Sequence, residues 1–270
     1  MPTTTRTARR WVIIGAGYTG GRVVDALRAR GDDVVATRRR EGFDLATVGV
    51  DDVAAVVRGA SVVVLTAPPS DANGAAEVRL AEAAAREGVA RIVYISSTGV
   101  YAAAAGALVD ESWPIEPRTA SGRARLAAEN ALAAGAVPCV RLRAAGIYGP
   151  DRGVLARLRA GTYRIIGDGT TYVSRVHVED LAAAVILAGD AAAPSPVYNV
   201  ADDDPCSSLE LATAACAALG VAMPPLVPLD QVDADVAGMF TADRRIDNGR
   251  LARELGWRPR YPSWRAELDT

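Results

Sequence analysis

Residues 11–20 read WVIIGAGYTG, an apolar run that leads directly into a G-x-G-x-x-G pattern. The apolar run predicts a buried strand, and the spacing of valine and leucine over residues 19–30 predicts a helix. Between a strand and a helix, such glycines permit a tight turn and let the backbone approach a pyrophosphate, which the helix N-terminus stabilises. The segment therefore predicts a dinucleotide-binding turn. The residues expected to contact the cofactor there are Gly15, Gly17, Tyr18, Thr19 and Gly20.

Outward from this unit, the first half of the chain alternates short apolar strands with alanine-rich helices. The alternation is typical of a parallel α/β sheet. Further strands are predicted at 34–37, 43–45, 61–65, 91–96 and 138–142, and helices at 50–58, 75–87 and 123–134.

The second half is less regular and predicts a small C-terminal lobe. Helices are expected at 155–160, 180–188, 208–219 and 248–255, and a strand at 197–200. The third of these helices opens with a capping box formed by Ser207 and Glu210, and Gly220 ends it. We expect a nucleotide-binding domain over residues 1–150, to which 176–202 return, and a substrate lobe over 151–175 and 203–270.

The end of the second predicted strand bears on which cofactor is bound. NAD sites usually place a carboxylate here to hold the ribose 2′-hydroxyl. This chain has ATRRR at residues 36–40 instead. Arg38 is suited to hold a 2′-phosphate, with Thr37 as a hydroxyl donor, so NADP is favoured and NAD is the alternative. Arg39 and Arg40 are expected to be solvated.

Composition limits the partners. The chain has 270 residues, a formal net charge of −2, 50% hydrophobic and 23% charged residues, as an ordinary globular protein has. This balance argues against nucleic acid or an anionic membrane as the main partner, and no apolar run approaches the ~20 residues of a membrane helix. The cysteines Cys139, Cys206 and Cys216 lack CxxC spacing, which favours reduced thiols and a cytoplasmic location. A small-molecule substrate is expected, and a homodimer stays open.

Two missing residue types limit the chemistry. His177 is the only histidine, which excludes a His-rich metal site, and no metal is predicted. All 30 basic residues are arginine, so no lysine is available for a Schiff base, a phosphate-binding loop or the activation of a tyrosine.

Four further segments carry a resemblance to a known family. They are VYISSTGVY at 93–101, RAAGIYGP at 143–150, SRVHVEDLA at 174–182 and YNVAD at 198–202. In this order they resemble the extended short-chain dehydrogenases/reductases of the epimerase/dehydratase branch. The resemblance implies a Rossmann doubly wound sheet, a nicotinamide cofactor and a substrate cleft between the sheet and the small lobe.

In that family a Ser/Thr–Tyr–Lys set carries the chemistry, and this chain keeps only part of it. Ser97 matches the Ser/Thr position, where it would orient the substrate oxygen; capping the end of its strand is the alternative. In TASGRARLAAE, residues 119–129, Ser121 stands at the tyrosine position and Arg125 at the lysine position, where it would bind the cofactor ribose. Ile14 also replaces the family's first glycine. These departures resemble the atypical, YeeZ-like subgroup.

The matched segments imply further site residues. Tyr101 and Tyr148 are the candidates to replace the missing phenol, and packing beneath the cofactor is their alternative role. Tyr101 and Arg175 are expected to contact the substrate, Arg175 as an exposed residue that holds an anion or joins the lobes. The remaining cofactor contacts are expected from Asp44 at the adenine, from Thr66, Ala67 and Pro68 after a strand, and from Gly146 beside the nicotinamide.

Three interpretations concern structural positions. We expect His177 to make a structural hydrogen bond rather than to act in catalysis. Asp180 is predicted to cap the helix that follows it. Trp257 and Trp264 are predicted to lie in the core of the small lobe.

Two hypotheses for function follow. The first is an NADP-dependent oxidoreductase or epimerase-like enzyme that moves a hydride between the nicotinamide and a carbon bearing oxygen. Ser97 would orient that oxygen, and Tyr101, Tyr148, the substrate or water would supply the proton. The second is a non-catalytic NADP-binding redox sensor or regulatory protein, which the missing tyrosine and lysine favour.

Overall fold

A computed structural model describes residues 8–268 of the chain. Its strands, in chain order, are β1 Arg10–Ile14, β2 Asp33–Thr37, β3 Val62–Leu65, β4 Arg91–Ser97, β5 Leu108–Val109, β6 Cys139–Ala144, β7 Gly146–Tyr148, β8 Ile165–Ile166, β9 Tyr172–Val173, β10 Arg175–His177, β11 Val197–Val200, β12 Cys206–Ser207, β13 Leu226–Val227 and β14 Arg245–Ile246. Its α-helices are α1 Tyr18–Ala29, α2 Val50–Val57, α3 Ala75–Arg86, α4 Ala120–Ala134, α5 Val154–Arg159, α6 Val178–Asp190, α7 Ser208–Leu219, α8 Ala234–Phe240 and α9 Gly249–Leu255.

The central sheet confirms the predicted doubly wound Rossmann fold. Six parallel strands lie in the order β11-β6-β4-β3-β1-β2. The chain runs outward from β1 to β2 and then crosses back to β3 on the other side of β1. The loops after β1 and β3 therefore diverge, and ligands of such sheets bind in the crevice between them.

One predicted strand is wrong. Residues 43–45 form turn and irregular backbone rather than a strand beside β2. Short-range hydrogen bonds to Asp44 explain the difference. The Asp44 carboxylate accepts a bond from the Ala46 N–H at 3.1 Å, and the Asp44 carbonyl accepts one from the Thr47 N–H. These local bonds favour a turn over an extended ladder.

Both faces of β1 are buried, as the unbroken apolar sequence predicted. Trp11 and Ile13 enter a core formed with α1 and α6, whereas Val12 and Ile14 enter a second core formed with α2, α3 and α4. All four side chains are at most 2% exposed. A strand that is buried on both faces has no need of polar alternation.

The lobe has a small apolar core of its own. Leu155 and Leu158 of α5 pack against Ala212 and Ala215 of α7. One of the two hydrogen bonds of the predicted capping box of α7 is confirmed, because the Ser207 hydroxyl accepts a bond from the Glu210 N–H at 3.0 Å. Gly220 ends the helix at a φ of 65°. How the chain divides into domains at the predicted boundaries stays a prediction.

Two predictions are wrong, namely the place of Trp257 in the lobe core and the role of Asp180 as a helix cap. Trp257 packs in the core beneath α6 rather than in the lobe, and its indole N–H donates to the Asp180 carbonyl at 3.1 Å. Asp180 does not cap α6, because the imidazole of His177 accepts the bond from Glu179 N–H. The Asp180 carboxylate instead accepts bonds from Arg260 N–H and Tyr261 N–H, which ties the C-terminal segment to α6. Trp264 lies in a lobe cluster as predicted.

Among the described helices, none combines the length and apolar character needed to cross a bilayer.

Candidate cofactor and substrate cleft

A cleft of about 1140 Å³ opens at the carboxyl ends of β1, β3, β4 and β6. It extends from the arginines after β2, past the glycine turn, to the end of β4. Of the residues predicted to form the site, the structure brings these to its wall: Gly15, Gly17, Tyr18, Thr19, Arg38, Asp44, Thr66, Ala67, Pro68, Ser97, Arg125 and Gly146. Gly20, Thr37, Tyr101, Tyr148 and Arg175 do not line it.

The three glycines of the turn have different physical roles. Gly15 has a φ of 95°, and a Cβ there would lie 2.7 Å from Ala67 N. A Cβ on Gly20 would lie 2.6 Å from the Gly15 carbonyl oxygen, so Gly20 permits α1 to pack closely against the turn. A Cβ on Gly17 would meet only the Gly15 oxygen, at 3.9 Å, and would otherwise enter the open cleft. Gly17 is therefore the glycine that leaves backbone uncovered for a ligand.

Polar contacts of this turn hold it against its neighbours. The Thr66 hydroxyl donates to the Gly15 carbonyl, which joins the loops after β1 and β3. The Tyr18 hydroxyl donates to the Pro150 carbonyl at 2.9 Å, and the guanidinium groups of Arg22 and Arg152 lie over its ring. Burial raises the pKa of the Tyr18 phenol, and Arg22 lowers it in part. Tyr18 therefore remains a neutral donor at neutral pH.

The end of the cleft beside β2 is rich in guanidinium groups. Arg38, Arg39 and Arg40 all line it, and the side chains of the last two are 68% and 79% exposed, as expected for solvated residues. Arg38 donates to the Ala16 carbonyl at 2.8 Å and to Glu41 at 3.0 Å. The Thr37 side chain is buried away from the cleft, and its hydroxyl has no hydrogen-bond partner among the described residues.

Asp44 lies at the same end of the cleft, where the family resemblance places it. Its carboxylate pairs with Arg39 at 3.1 Å and accepts the Ala46 N–H bond described above. These contacts fix the loop against the arginines while the residue still lines the cleft.

At the other end, β4 and α4 bring Ser97, Ser121 and Arg125 to the wall of one cleft. The Ser97 oxygen accepts a bond from Gly99 N–H at 3.0 Å and so caps the short turn after β4. Its own O–H donates to none of the described residues, so it can donate to a ligand. Arg125 donates through Nη1 to the Ile95 carbonyl at 2.7 Å and to the Tyr94 hydroxyl at 3.2 Å.

Helix α4 is held to the sheet and to α8 by polar contacts. Its buried Glu129 accepts two bonds from Arg143 of β6, at 3.0 and 2.7 Å, and one from the Ser96 hydroxyl of β4 at 2.5 Å. At the other end of the helix, Asp235 of α8 accepts bonds from Ala120 N–H and Ser121 N–H. The lobe thus caps the helix that carries Ser121 and Arg125.

The two candidate phenols lie inside the protein, so the prediction that they approach the cleft is wrong. Tyr101 is 1% exposed and donates to the Asn199 side-chain oxygen at 2.7 Å. Tyr148 is 4% exposed and lies edge-on to His177. Burial raises the pKa of both phenols above the usual value. The inward orientation follows from the apolar clusters that each strand end meets, and a catalytic role for either tyrosine stays a prediction that these positions do not favour.

Arg175 is buried rather than exposed. Only 8% of the residue is exposed, and Nη1 donates to the Val173 carbonyl at 2.8 Å and lies 3.2 Å from the Cys206 sulfur. The alternation that predicted exposure fails because all of β10 is covered on both faces. Arg175 lines a separate cavity of about 130 Å³ behind Gly146. A substrate contact for Arg175 stays a prediction.

Among the charged residues of the cleft wall, sequence reasoning missed Glu77 of α3 and Arg152. Glu77 stands among alanines in a helix, which suggests a solvated residue. Its spacing from Leu80, Ala81 and Ala84 places it on the buried face, and this period was the signal that would have found it. No such signal marks Arg152, which lies in a loop.

No group of three or more His, Cys, Asp or Glu side chains within residues 8–268 is placed to hold a metal ion. The three cysteines are free thiols.

A Rossmann sheet with a glycine turn and a cleft across its switch point defines a dinucleotide-binding class of protein. Residues 11–201 match the NAD dependent epimerase/dehydratase family. The chain belongs to this family, which confirms its resemblance to the extended short-chain dehydrogenases/reductases. It is an NAD(P)-dependent oxidoreductase-type member of that group.

Three relatives indicate how wide the family's activities are. The chain is 32% identical over 211 residues to a UDP-glucose 4-epimerase of Mycolicibacterium smegmatis, a match that covers 71% of this chain and 65% of that protein. It is 30% identical over 302 residues to a 3-diazoavenalumate denitrifying reductase of a Streptomyces species, covering 96% and 99%. It is 29% identical to the Escherichia coli protein YeeZ, covering 94% and 97%. One relative is thus named an epimerase and another a reductase.

Solved structures agree in fold. MoeE5, solved with UDP-glucose and NAD, superimposes with a TM-score of 0.82 at 25% identity, covering 97% of this chain and 96% of that one. A human epimerase family protein solved with NADPH superimposes with a TM-score of 0.80 at 20% identity, covering 96% and 97%. MoeE5 is solved with NAD and the human protein with NADPH, and the likeness to the second shows the fold alone.

Proposed function

We propose that the protein is an NADP(H)-dependent oxidoreductase or epimerase-like enzyme that acts on a carbonyl or hydroxyl group of a small molecule. The observation that carries the proposal is a single cleft with three arginines at one end and the Ser97 hydroxyl at the other. The arginines suit a 2′-phosphate, and the hydroxyl suits a reacting oxygen.

The residues of the cleft fit such a cofactor. Gly17 leaves the backbone at the N-terminus of α1 uncovered, where N–H groups attract a pyrophosphate. Arg38 stands where NAD sites carry an acidic residue, and guanidinium groups hold phosphates by paired hydrogen bonds. Asp44 and Thr66 to Pro68 would border the adenosine and the pyrophosphate, with Arg125 and Gly146 towards the nicotinamide.

The chain's own groups would orient the reaction as follows. A bound nicotinamide supplies or accepts a hydride. The Ser97 O–H would donate to the substrate oxygen, because one lone pair of the hydroxyl accepts from Gly99 N–H while its proton donates to no described residue. Ser121 lacks a histidine or lysine to activate it, so a proton would come from the substrate or from water rather than from this hydroxyl. Arg125 would supply positive charge without exchanging its proton.

A second candidate is a non-catalytic NADP-binding sensor. It is favoured by the position of the phenols, because Tyr18 is the only tyrosine among the described residues that lines the cleft, and its hydroxyl is already bonded to Pro150. The Tyr101 and Tyr148 hydroxyls are buried elsewhere.

Two measurements test the proposal. Titration of the protein with NADPH and with NADH, followed by nicotinamide fluorescence, should show tighter binding of NADPH by about tenfold or more, which one charged contact supplies. A screen of small carbonyl compounds should then show enzyme-dependent oxidation of NADPH. Equal affinities for the two cofactors would overturn the NADP preference. Tight NADPH binding without turnover on any carbonyl or alcohol would overturn the enzyme proposal in favour of the non-catalytic sensor.

A further inference from the structure

Glu77 is a buried carboxylate on the wall of the cleft that the assigned chemistry does not use. Only 2% of the residue is exposed, although it lines the cavity. Its Oε2 atom is inaccessible to solvent and has no hydrogen-bond partner among the described residues. A buried polar atom without a partner costs free energy, so a ligand donor would be favoured here once the carboxyl group turns this oxygen towards the cleft that the residue lines.

The surroundings of Glu77 place it at the nicotinamide half of the cleft. It lies in the first turn of α3, and its charge interacts with Arg125 of α4 and with the Tyr94 phenol of β4. Both β4 and α4 also carry the residues of the Ser97 end. The arginines that suit the adenosine phosphate lie across the sheet, beyond β1 at the end of β2.

The charge of Glu77 restricts which part of a dinucleotide it can contact. Burial raises the pKa of its carboxyl, and Arg125 and Arg79 lower it in part. A carboxylate would repel the pyrophosphate, whereas it accepts hydrogen bonds from neutral hydroxyls through two oxygens. The ribose next to the nicotinamide presents such hydroxyls on this half of the cleft.

Arg125 spends part of its hydrogen-bonding capacity outside the cleft, which favours a second residue in contact with the cofactor ribose. The family resemblance assigns the ribose to the residue at its position, yet Nη1 of Arg125 is bonded to the Ile95 carbonyl and the Tyr94 hydroxyl. Part of its donor capacity is therefore directed into β4 rather than into the cleft.

We propose that the Glu77 carboxyl accepts a hydrogen bond from a hydroxyl of the nicotinamide ribose and is a cofactor-binding residue of this protein. The inference rests on the proposed function, since it requires that the cleft bind a nicotinamide dinucleotide. Arg125 and Glu77 then hold the ribose from two helices, one as donor and one as acceptor.

The experiment compares the wild-type protein with Glu77→Leu by calorimetric titration against three ligands. NADPH contains the ribose and the nicotinamide, 2′-phospho-ADP-ribose contains the ribose alone, and adenosine 2′,5′-bisphosphate lacks both. The variant should bind the first two at least tenfold more weakly and the third unchanged, because a hydrogen bond to a charged group is lost. Glu77→Gln, which keeps one acceptor oxygen, should show a smaller loss for the same two ligands.

Glu82→Leu is the matched control, because Glu82 lies on the exposed face of the same helix. It should leave all three affinities unchanged, and thermal melting should show that each variant is folded. A loss confined to NADPH would assign Glu77 to the carboxamide and overturn the ribose contact, as would an equal loss for all three ligands or none. If the wild-type protein binds none of the ligands, the proposed function itself fails.

Discussion

At the glycine-turn end of the cleft the ligand would meet mainly backbone, whereas at the Ser97 end the chemistry depends on individual side chains. The first end keeps the G-x-G-x-x-G turn, with Gly15, Gly17 and Gly20 each in a required position, although Ile14 replaces the family's first glycine. The second end has Ser121 and Arg125 in place of tyrosine and lysine. The contrast teaches that cofactor binding and turnover are separable properties of this fold, and four predictions test it.

The largest effect is expected at the turn itself. Gly17→Val should weaken NADPH binding by more than about 100-fold, because several kcal/mol of phosphate contact are blocked by a side chain in the open cleft. The melting temperature should stay close to the wild-type value, since a Cβ there touches nothing closer than 3.9 Å. Fluorescence titration and thermal melting measure the two properties.

The matched control for this change is Gly20→Val. A Cβ there would lie 2.6 Å from the Gly15 oxygen, so the fold itself should be destabilised. If Gly17→Val binds NADPH as the wild type does, the turn does not hold the phosphates and the contrast between the two ends fails.

The second prediction concerns the reaction end. Ser97→Ala should lower turnover by about 10²-fold, since a donor aimed at the reacting oxygen is commonly worth that much, and it should leave NADPH affinity unchanged. Ser121→Ala, on the same wall of the cleft, is the control and should change turnover little. Steady-state kinetics with the best carbonyl substrate from the screen measures the turnover of both variants. A larger loss for Ser121→Ala would reassign the reacting hydroxyl.

The third prediction sharpens the assignment of the adenosine end. Arg38→Ala should remove most of the preference for NADPH over NADH, an effect of about tenfold, while NADH affinity changes little. Arg28→Ala, on the exposed side of α1, is the control of equal charge. A preserved preference in Arg38→Ala would move the phosphate contact to Arg39 or Arg40.

The smallest effect is expected for Asp202, a buried residue near the Tyr148 phenol. Burial raises the pKa of Asp202 to about 8, and its Oδ2 has no hydrogen-bond partner among the described residues. The folded state therefore binds a proton that the unfolded chain releases near its ordinary pKa, so this residue's contribution to stability falls as pH rises from about 4 to 8. Asp202→Asn should raise the melting temperature by a few degrees more at pH 8 than at pH 5.

This variant also tests whether the buried phenol takes part in catalysis. Asp202 is 2% exposed and does not line the cleft, so the pH profile of turnover should be the same in Asp202→Asn and in the wild type. A shifted profile would restore Tyr148 as a catalytic candidate, with Asp202 beside it. It would also contradict the separation of cofactor binding from turnover.

The residues that the sequence located well are those with a strong local rule. A strand, a glycine turn and a helix at residues 11–30 determine each other, so the position of Gly15 and Gly17 followed from the pattern alone. Ser97 was indicated by the family resemblance, and its place at the carboxyl end of a parallel strand agrees with a position beside the cleft.

The residues that were misplaced depend on what packs against them from distant parts of the chain. Arg175 was expected at the surface from alternation, but β10 is covered on both faces. Tyr101 was placed near the cleft by its segment, but its hydroxyl is bonded to Asn199, nearly a hundred residues further along the chain. Neither packing partner is visible in the local sequence.

The buried bonds of Glu129 to Arg143 and Ser96 have a consequence for how this protein evolves. They hold α4 against the sheet one helical turn beyond Arg125, through bonds in which neither Ser121 nor Arg125 takes part. Substitution of Ser121 therefore changes the surface that the helix offers to a substrate and leaves these bonds in place, whereas substitution of Arg125 also removes its own two bonds to β4. A lineage with this anchor can exchange the residues at both positions, because Glu129 still ties the helix to the sheet while they change.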